Sequence, residues 1–111
     1  MARAKLETLT EQMYYVLLAL TDPGHGYAVM ERIEALSRKR VQVGPGTLYT
    51  LLARFEKEGL IALVKEEDKR KVYRLTEQGW TVLRKEYGRL RRQAEDGAAI
   101  LGGENHEKND G

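Results

Sequence analysis

Seven residues toward the C-terminal end of the chain, Trp80, Leu83, Tyr87, Leu90, Ala94, Gly97 and Leu101, follow one another at intervals of 3, 4, 3, 4, 3 and 4. That spacing is a heptad a/d seam, and it demands a long helix lying lengthwise against another helix. Gly88 and Gly97 fall within the run, and each costs a helix about 1 kcal/mol relative to alanine. A helix weakened in this way persists only against a partner. Near the other end, Leu9, Met13, Val16, Leu17 and Leu20 recur at helical spacing and form one apolar face. Tyr14, Tyr15 and Leu18 form a second face, more than the surface helix of a monomer needs. Together the two features predict a homodimer, with Trp80, Leu83, Tyr87, Leu90, Ala94 and Leu101 as dimerisation residues.

Between these ends the chain divides into short elements. Thr8-Leu9-Thr10-Glu11 has the form of a capping box and predicts a helix start near Thr8. Asp22-Pro23-Gly24-His25-Gly26 reads as a turn. A second helix is expected from about Tyr27 to Leu36, with Val29, Met30, Ile33 and Leu36 inward. Val41-Gln42-Val43 reads as a short extended piece. Gly44-Pro45-Gly46 opens a third helix, because proline suits a first turn where its missing N–H costs nothing. Leu48, Leu51, Leu52 and Phe55 make its inner stripe, and Gly59 fits a left-handed stop. Ile61–Lys65 and Lys71–Leu75 then read as strands on either side of the turn Glu67-Asp68-Lys69-Arg70. In that reading Ile61 and Leu63 share one face, and Lys71, Tyr73 and Leu75 share another. Thr76 starts the long last helix.

Three helices, a hairpin and a long helix make a mainly α fold with a small β-hairpin: a winged helix-turn-helix followed by a C-terminal dimerisation helix. The expected division is 1–75 for a DNA-binding domain, 76–101 for the dimerisation helix and 102–111 for a disordered tail. With the leucine stripe buried, Thr47, Thr50 and Arg54 project from the opposite face of the third helix, with Tyr49 beside them. Short polar side chains near a helix N-terminus allow close approach to DNA. Lys69, Arg70 and Lys71 sit at the hairpin tip, where cations meet phosphates and position a protein without specifying sequence. Glu66, Glu67 and Asp68 adjoin them. These acids favour a rival of another class, a winged-helix adaptor that contacts proteins and never touches DNA.

Composition excludes more than it selects. In 111 residues there is room for one core, and a hydrophobic fraction of 41% is enough to pack it. The 19 basic residues nearly cancel the 17 acidic ones, so the distribution of charge carries more information than its sum. Without cysteine the chain has neither disulfides nor a thiolate metal site. His25 and His106 lack the converging ligands a metal site needs, so no metal and no cofactor are expected. No nucleophile with a partner base, paired carboxylates or phosphate loop is present, which argues against an enzyme. A polar start up to Leu6 and the absence of a long apolar run predict a cytoplasmic protein with no membrane contact.

Gly26-Tyr27, then Gly46-Thr47-Leu48-Tyr49, then Leu52-x-Arg54-Phe55-Glu56-x-Glu58-Gly59-Leu60-Ile61 and Arg70-Lys71-x-Tyr73-Arg74-Leu75-Thr76-x-x-Gly79 occur in that order. In these motifs, over roughly residues 9–80, the chain resembles the PadR family of bacterial transcriptional regulators. The resemblance implies a homodimeric repressor on an inverted-repeat operator, often near a detoxification, efflux or stress gene. It also allows for a small-molecule effector, since some relatives bind planar drugs between the last helices of the dimer. Trp80 here reads as a core or seam residue rather than a ligand platform. Two positions depart from the family pattern: Thr50 stands where proline is usual, and acidic residues replace the glycine pair before Arg70.

Overall fold

The computed structural model describes residues 8–102, so the expected tail, apart from Gly102, lies outside the described residues. The helix α1 (Glu11–Ala19) begins with a correction. Thr10 caps it rather than Thr8, its hydroxyl accepting from the Met13 N–H at 3.1 Å. With the cap moved inward, Leu9 stands before the helix and turns into the core. Met13, Val16, Leu17 and Leu20 are buried as the spacing predicts, and Tyr14, Tyr15 and Leu18 are half-buried.

Helix α2 (Gly26–Ser37) buries Val29 and Ile33 and half-buries Met30. Leu36 is not inward: it stands 56% exposed, because the buried stripe runs Val29, Ile33 and Ser37 and leaves Leu36 on the outer side of the last turn. Ser37 goes inward instead. Its hydroxyl donates to the Ile33 carbonyl at 2.8 Å and accepts from the Val41 N–H at 3.0 Å, so the buried oxygen is satisfied. Val41 and Val43 are buried with Gln42 outward between them, an extended piece outside the sheet.

Helix α3 (Pro45–Lys57) carries proline in its first turn and buries Leu48, Leu51, Leu52 and Phe55, the predicted stripe. Gly59 follows with φ +81°, the left-handed stop that glycine adopts at least cost. Strands β1 (Ile61–Glu67) and β2 (Arg70–Leu75) pair antiparallel and run two residues and one residue farther toward the tip than expected. The alternation needs a second correction. Leu63 keeps the parity of Ile61 but is 45% exposed, because the strand has by then left the body of the molecule. Val64 bulges out of the ladder between Leu63 and Lys65, which slips the register; on β2 both Val72 and Tyr73 are buried, while Lys71 is exposed. Gly24 and Tyr73 exchange two backbone hydrogen bonds of 2.9 Å, locking the turn before α2 onto the hairpin.

Helix α4 (Glu77–Leu101) is capped by Thr76, whose hydroxyl accepts from Gly79 N–H at 3.0 Å and donates to Gly59 O at 2.6 Å. A side chain at Gly79 would collide with the Leu60 carbonyl, so only glycine lets α4 cross this close. The start of α4 packs on α1 and β2, and its remainder leaves the body, drawing the molecule out to 55 × 34 × 21 Å. Among the described residues no helix is long and apolar enough to cross a membrane.

Candidate nucleic-acid interface

Burial of one side of α3 determines what its other side can do. Thr47, Tyr49 and Thr50 are exposed and Arg54 is half-buried. An i,i+4 pair between Arg54 and Glu58 would have neutralised this face, but among the described residues no ion pair involves Arg54. Tyr49 departs from its neighbours. Although 55% exposed, it folds back over α2, where a methyl group on Gly26 would come within 2.7 Å of its ring carbon Cζ. Gly26 and Tyr49, which open the second and third helices, are therefore two halves of one contact. Sequence spacing had no means of joining them.

The hairpin brings its cations to the same side. Asp68 and Lys69 both take positive φ (50° and 66°), the two-residue turn whose twist matches that of paired strands. Lys65 pairs with Glu67 at 3.2 Å on exposed surface and is thereby partly neutralised. Lys69, Arg70 and Lys71 instead border a groove of about 500 Å³, facing Pro45 and Tyr49 of α3, Tyr27 of α2 and His25 just before it. Sequence reasoning missed His25, which it placed in a turn. Its Nδ1 caps α2 by accepting from Ala28 N–H at 3.3 Å. Tyr73 closes the groove, its hydroxyl donating to Glu56 at 3.5 Å. Burial, and then the Glu56 carboxylate beside it, pushes the Tyr73 phenol above its ordinary pKa.

The seam residues divide into two groups. Leu83, 4% exposed, packs within its own chain, and Trp80 is half-buried with the Arg84 guanidinium 5.1 Å from its ring centre. From Tyr87, 53% exposed, to Leu101, 66% exposed, the seam faces solvent, with Leu90 half-buried and Ala94 exposed between them. Ile100 adds a further exposed apolar side chain. A second groove, of about 290 Å³, runs between α1 and α4 along Leu9, Tyr14, Tyr15 and Leu90. Glu86 is buried beside it, held by Arg89 Nε at 3.0 Å. Burial first, and then Tyr15, Tyr87 and Glu86, raises the Tyr14 pKa.

Residues 16–85 match the transcriptional regulator PadR-like family. Over 58 residues, 52% of its length, the chain is 36% identical to the transcriptional regulator YqjI of Escherichia coli. It spans only 20% to 28% of the length of the curated relatives it matches. The crystal structure of a PadR family transcriptional regulator from Eggerthella lenta superposes with a TM-score of 0.67 and 29% identity, over 81% of this chain and 80% of that one. The PcaV transcriptional regulator of Streptomyces coelicolor, solved in complex with its natural ligand, gives 0.69 and 26%, over 92% and 69%. Motifs, fold and match agree, and the chain belongs to the PadR-like family of transcriptional regulators.

Proposed function

We propose that this regulator binds double-stranded DNA as a homodimer, with α3 in the major groove and the hairpin on the flanking backbone, and represses from an inverted-repeat operator. One observation carries the reading. Pro45 and Tyr49 at the start of α3 and the cations Lys69, Arg70 and Lys71 border a single groove, so the hairpin cations stand beside the start of the helix that carries Thr47, Thr50 and Arg54, although those three do not line the groove themselves. Thr47, Thr50 and Arg54 are the base-reading candidates, with Tyr49 as the wall that joins α2 to α3. Residues 1–75 would then supply DNA binding and 76–101 the dimer contact.

Support for the dimer comes from the part of α4 that no element covers among the described residues. Burying Tyr87, Leu90, Ile100 or Leu101 is worth about 1.5–3 kcal/mol per side chain, and the adjoining groove along Tyr14 and Tyr15 offers a second copy a seat. Two-fold symmetry would set the α3 helices about 34–36 Å apart, one turn of DNA. A small-molecule effector fits the same reading, since PcaV was solved in complex with its natural ligand. We assign the chain no catalytic role.

The adaptor reading retains one supporting observation, the acids Glu66, Glu67 and Asp68 on the hairpin. Titrating labelled duplex DNA at low and moderate salt separates the two. A regulator loses affinity steeply as salt rises, because each phosphate contact releases counterions. Absence of binding at low salt would put the adaptor first.

A further inference from the structure

His25 and Arg70 are 45 residues apart in sequence, yet Nε2 of one lies 3.4 Å from Nη1 of the other. The imidazole is therefore approached by two donors, Ala28 N–H at Nδ1 and the Arg70 guanidinium at Nε2. A neutral imidazole accepts at one nitrogen and carries its proton on the other. Ala28 N–H lies in the first turn of α2, where no helical carbonyl is available to it, and its direction is fixed by the backbone. The guanidinium sits at the exposed start of β2 and can swing. Nδ1 is thus the acceptor and Nε2 bears the hydrogen. Two N–H groups then face one another with no acceptor between them, an arrangement that one oxygen atom would convert into two hydrogen bonds.

Charge decides which kind of oxygen. The hairpin as a whole is mixed, but the groove is not: Lys69, Arg70 and Lys71 line it, and among the described residues no carboxylate does. The exposed rings of Tyr27 and Tyr49 form its walls, apolar surfaces suited to sugar, and it opens at Pro45 where α3 begins. We infer that the gap between His25 Nε2 and Arg70 Nη1 seats a non-bridging oxygen of one backbone phosphodiester, gripped from α2 and from the hairpin at once. The inference rests on the DNA-binding reading above and adds His25 to it. A phosphate held by two separate elements fixes the tilt of the hairpin against α2, and hence the register in which α3 meets the bases.

The test uses the full chain and a random-sequence duplex, because a phosphate contact does not depend on sequence. His25→Asn keeps an oxygen that can cap α2 but has no donor at the reach of Nε2; Arg70→Gln removes the cation from an exposed strand. Each single variant should bind about tenfold more weakly than wild type, the loss of one hydrogen bond to a charged group, with an unchanged thermal midpoint. Arg70→Gln should also flatten the slope of log K against log salt by about one unit. The double variant should bind about as weakly as the weaker single variant, since both lose the same phosphate. Full additivity, or wild-type affinity in His25→Asn, overturns the seat while leaving DNA binding in place. Wild-type protein that fails to bind the duplex defeats the parent reading and this one with it. Titrating inorganic phosphate and following the His25 Nε2–H resonance distinguishes the source. A shift there combined with undiminished DNA binding by His25→Asn means that the seat serves free anions, which overturns the assignment to DNA.

Discussion

The stripe on α3 and the distal seam on α4 look alike in the sequence, both being apolar residues at helical intervals, and the folded chain treats them in opposite ways. Leu48, Leu51, Leu52 and Phe55 are buried, on a helix packed against α2 and the hairpin. Tyr87, Ala94 and Leu101 face solvent on a helix that has left the body. A periodic stripe thus records that a surface must be covered without saying by what. Where the covering elements belong to the same chain, the stripe is core; where none is found among the described residues, we propose that a second copy covers it. Leu83 marks the boundary, on the seam by spacing and in the core by position.

Substitution at matched positions should break the comparison most visibly. Phe55→Ala opens a cavity in the core and should cost about 3–5 kcal/mol, enough to unfold much of a domain this small. Leu101→Asp and Leu90→Asp place a charge on the distal seam and should leave each subunit folded but monomeric. Circular dichroism paired with light scattering reads both effects. If the Asp variants remain dimeric, the distal seam is not the interface. If wild type is already a folded monomer at micromolar concentration, the dimer itself is lost.

A smaller effect concerns the exposed side of the same body. Lys71→Ala removes a cation lining the groove without touching the core, so stability should hold while binding to every duplex weakens alike. The salt slope should flatten by about one unit. An unchanged slope would remove Lys71 from the backbone contacts. The same substitution at Lys65, which already pairs with Glu67, should change the slope less.

The difference between the two stripes also explains how much could be read in advance. Period alone identified the inner face of α3, because Leu48 to Phe55 fall within one uninterrupted helix. Period failed at Leu36, since apolar spacing did not admit a serine to the buried stripe, and Ser37 took the inward place through bonds to Ile33 and Val41 that only the folded turn creates. The capping box pointed to Thr8, whereas Thr10 caps the helix and Leu9 before it is buried in the core, a tertiary contact the local pattern did not carry. The bulge at Val64 left no local signal, because the extra residue is defined by its partner strand. Among site residues, Thr47, Thr50 and Lys69 to Lys71 were legible as exposed polar or basic positions. Tyr49 resting on Gly26 and His25 facing Arg70 were not, since each joins elements that only the fold brings together.

The smallest expected effect lies at the groove wall. The folded chain holds the Tyr73 phenol above its ordinary value near 10, through burial first and Glu56 second. Once pH rises past that ordinary value, the unfolded chain releases this proton while the folded chain keeps it. Folded protein then binds more protons, and stability falls as pH rises further. Tyr73→Phe should lose little at neutral pH, where only the long bond to Glu56 disappears, and should show a shallower alkaline decline. Urea midpoints on either side of pH 10 measure this, and parallel declines in the two proteins would contradict it.

The central claim is that the exposed face of α3 reads DNA while its buried face holds the body together. Selecting preferred sites from a random duplex pool, then measuring the ratio of selected-site to random-sequence affinity for Thr47→Ala, Tyr49→Ala, Thr50→Ala and Arg54→Ala, tests it most directly. A lost base contact should lower that ratio by about 1–3 kcal/mol, with far smaller change on random sequence. The largest drops are expected at Thr50 and Arg54, because Tyr49 is engaged with Gly26. A ratio unchanged in all four variants would mean that α3 does not read DNA, and the adaptor reading would replace the regulator mechanism proposed above.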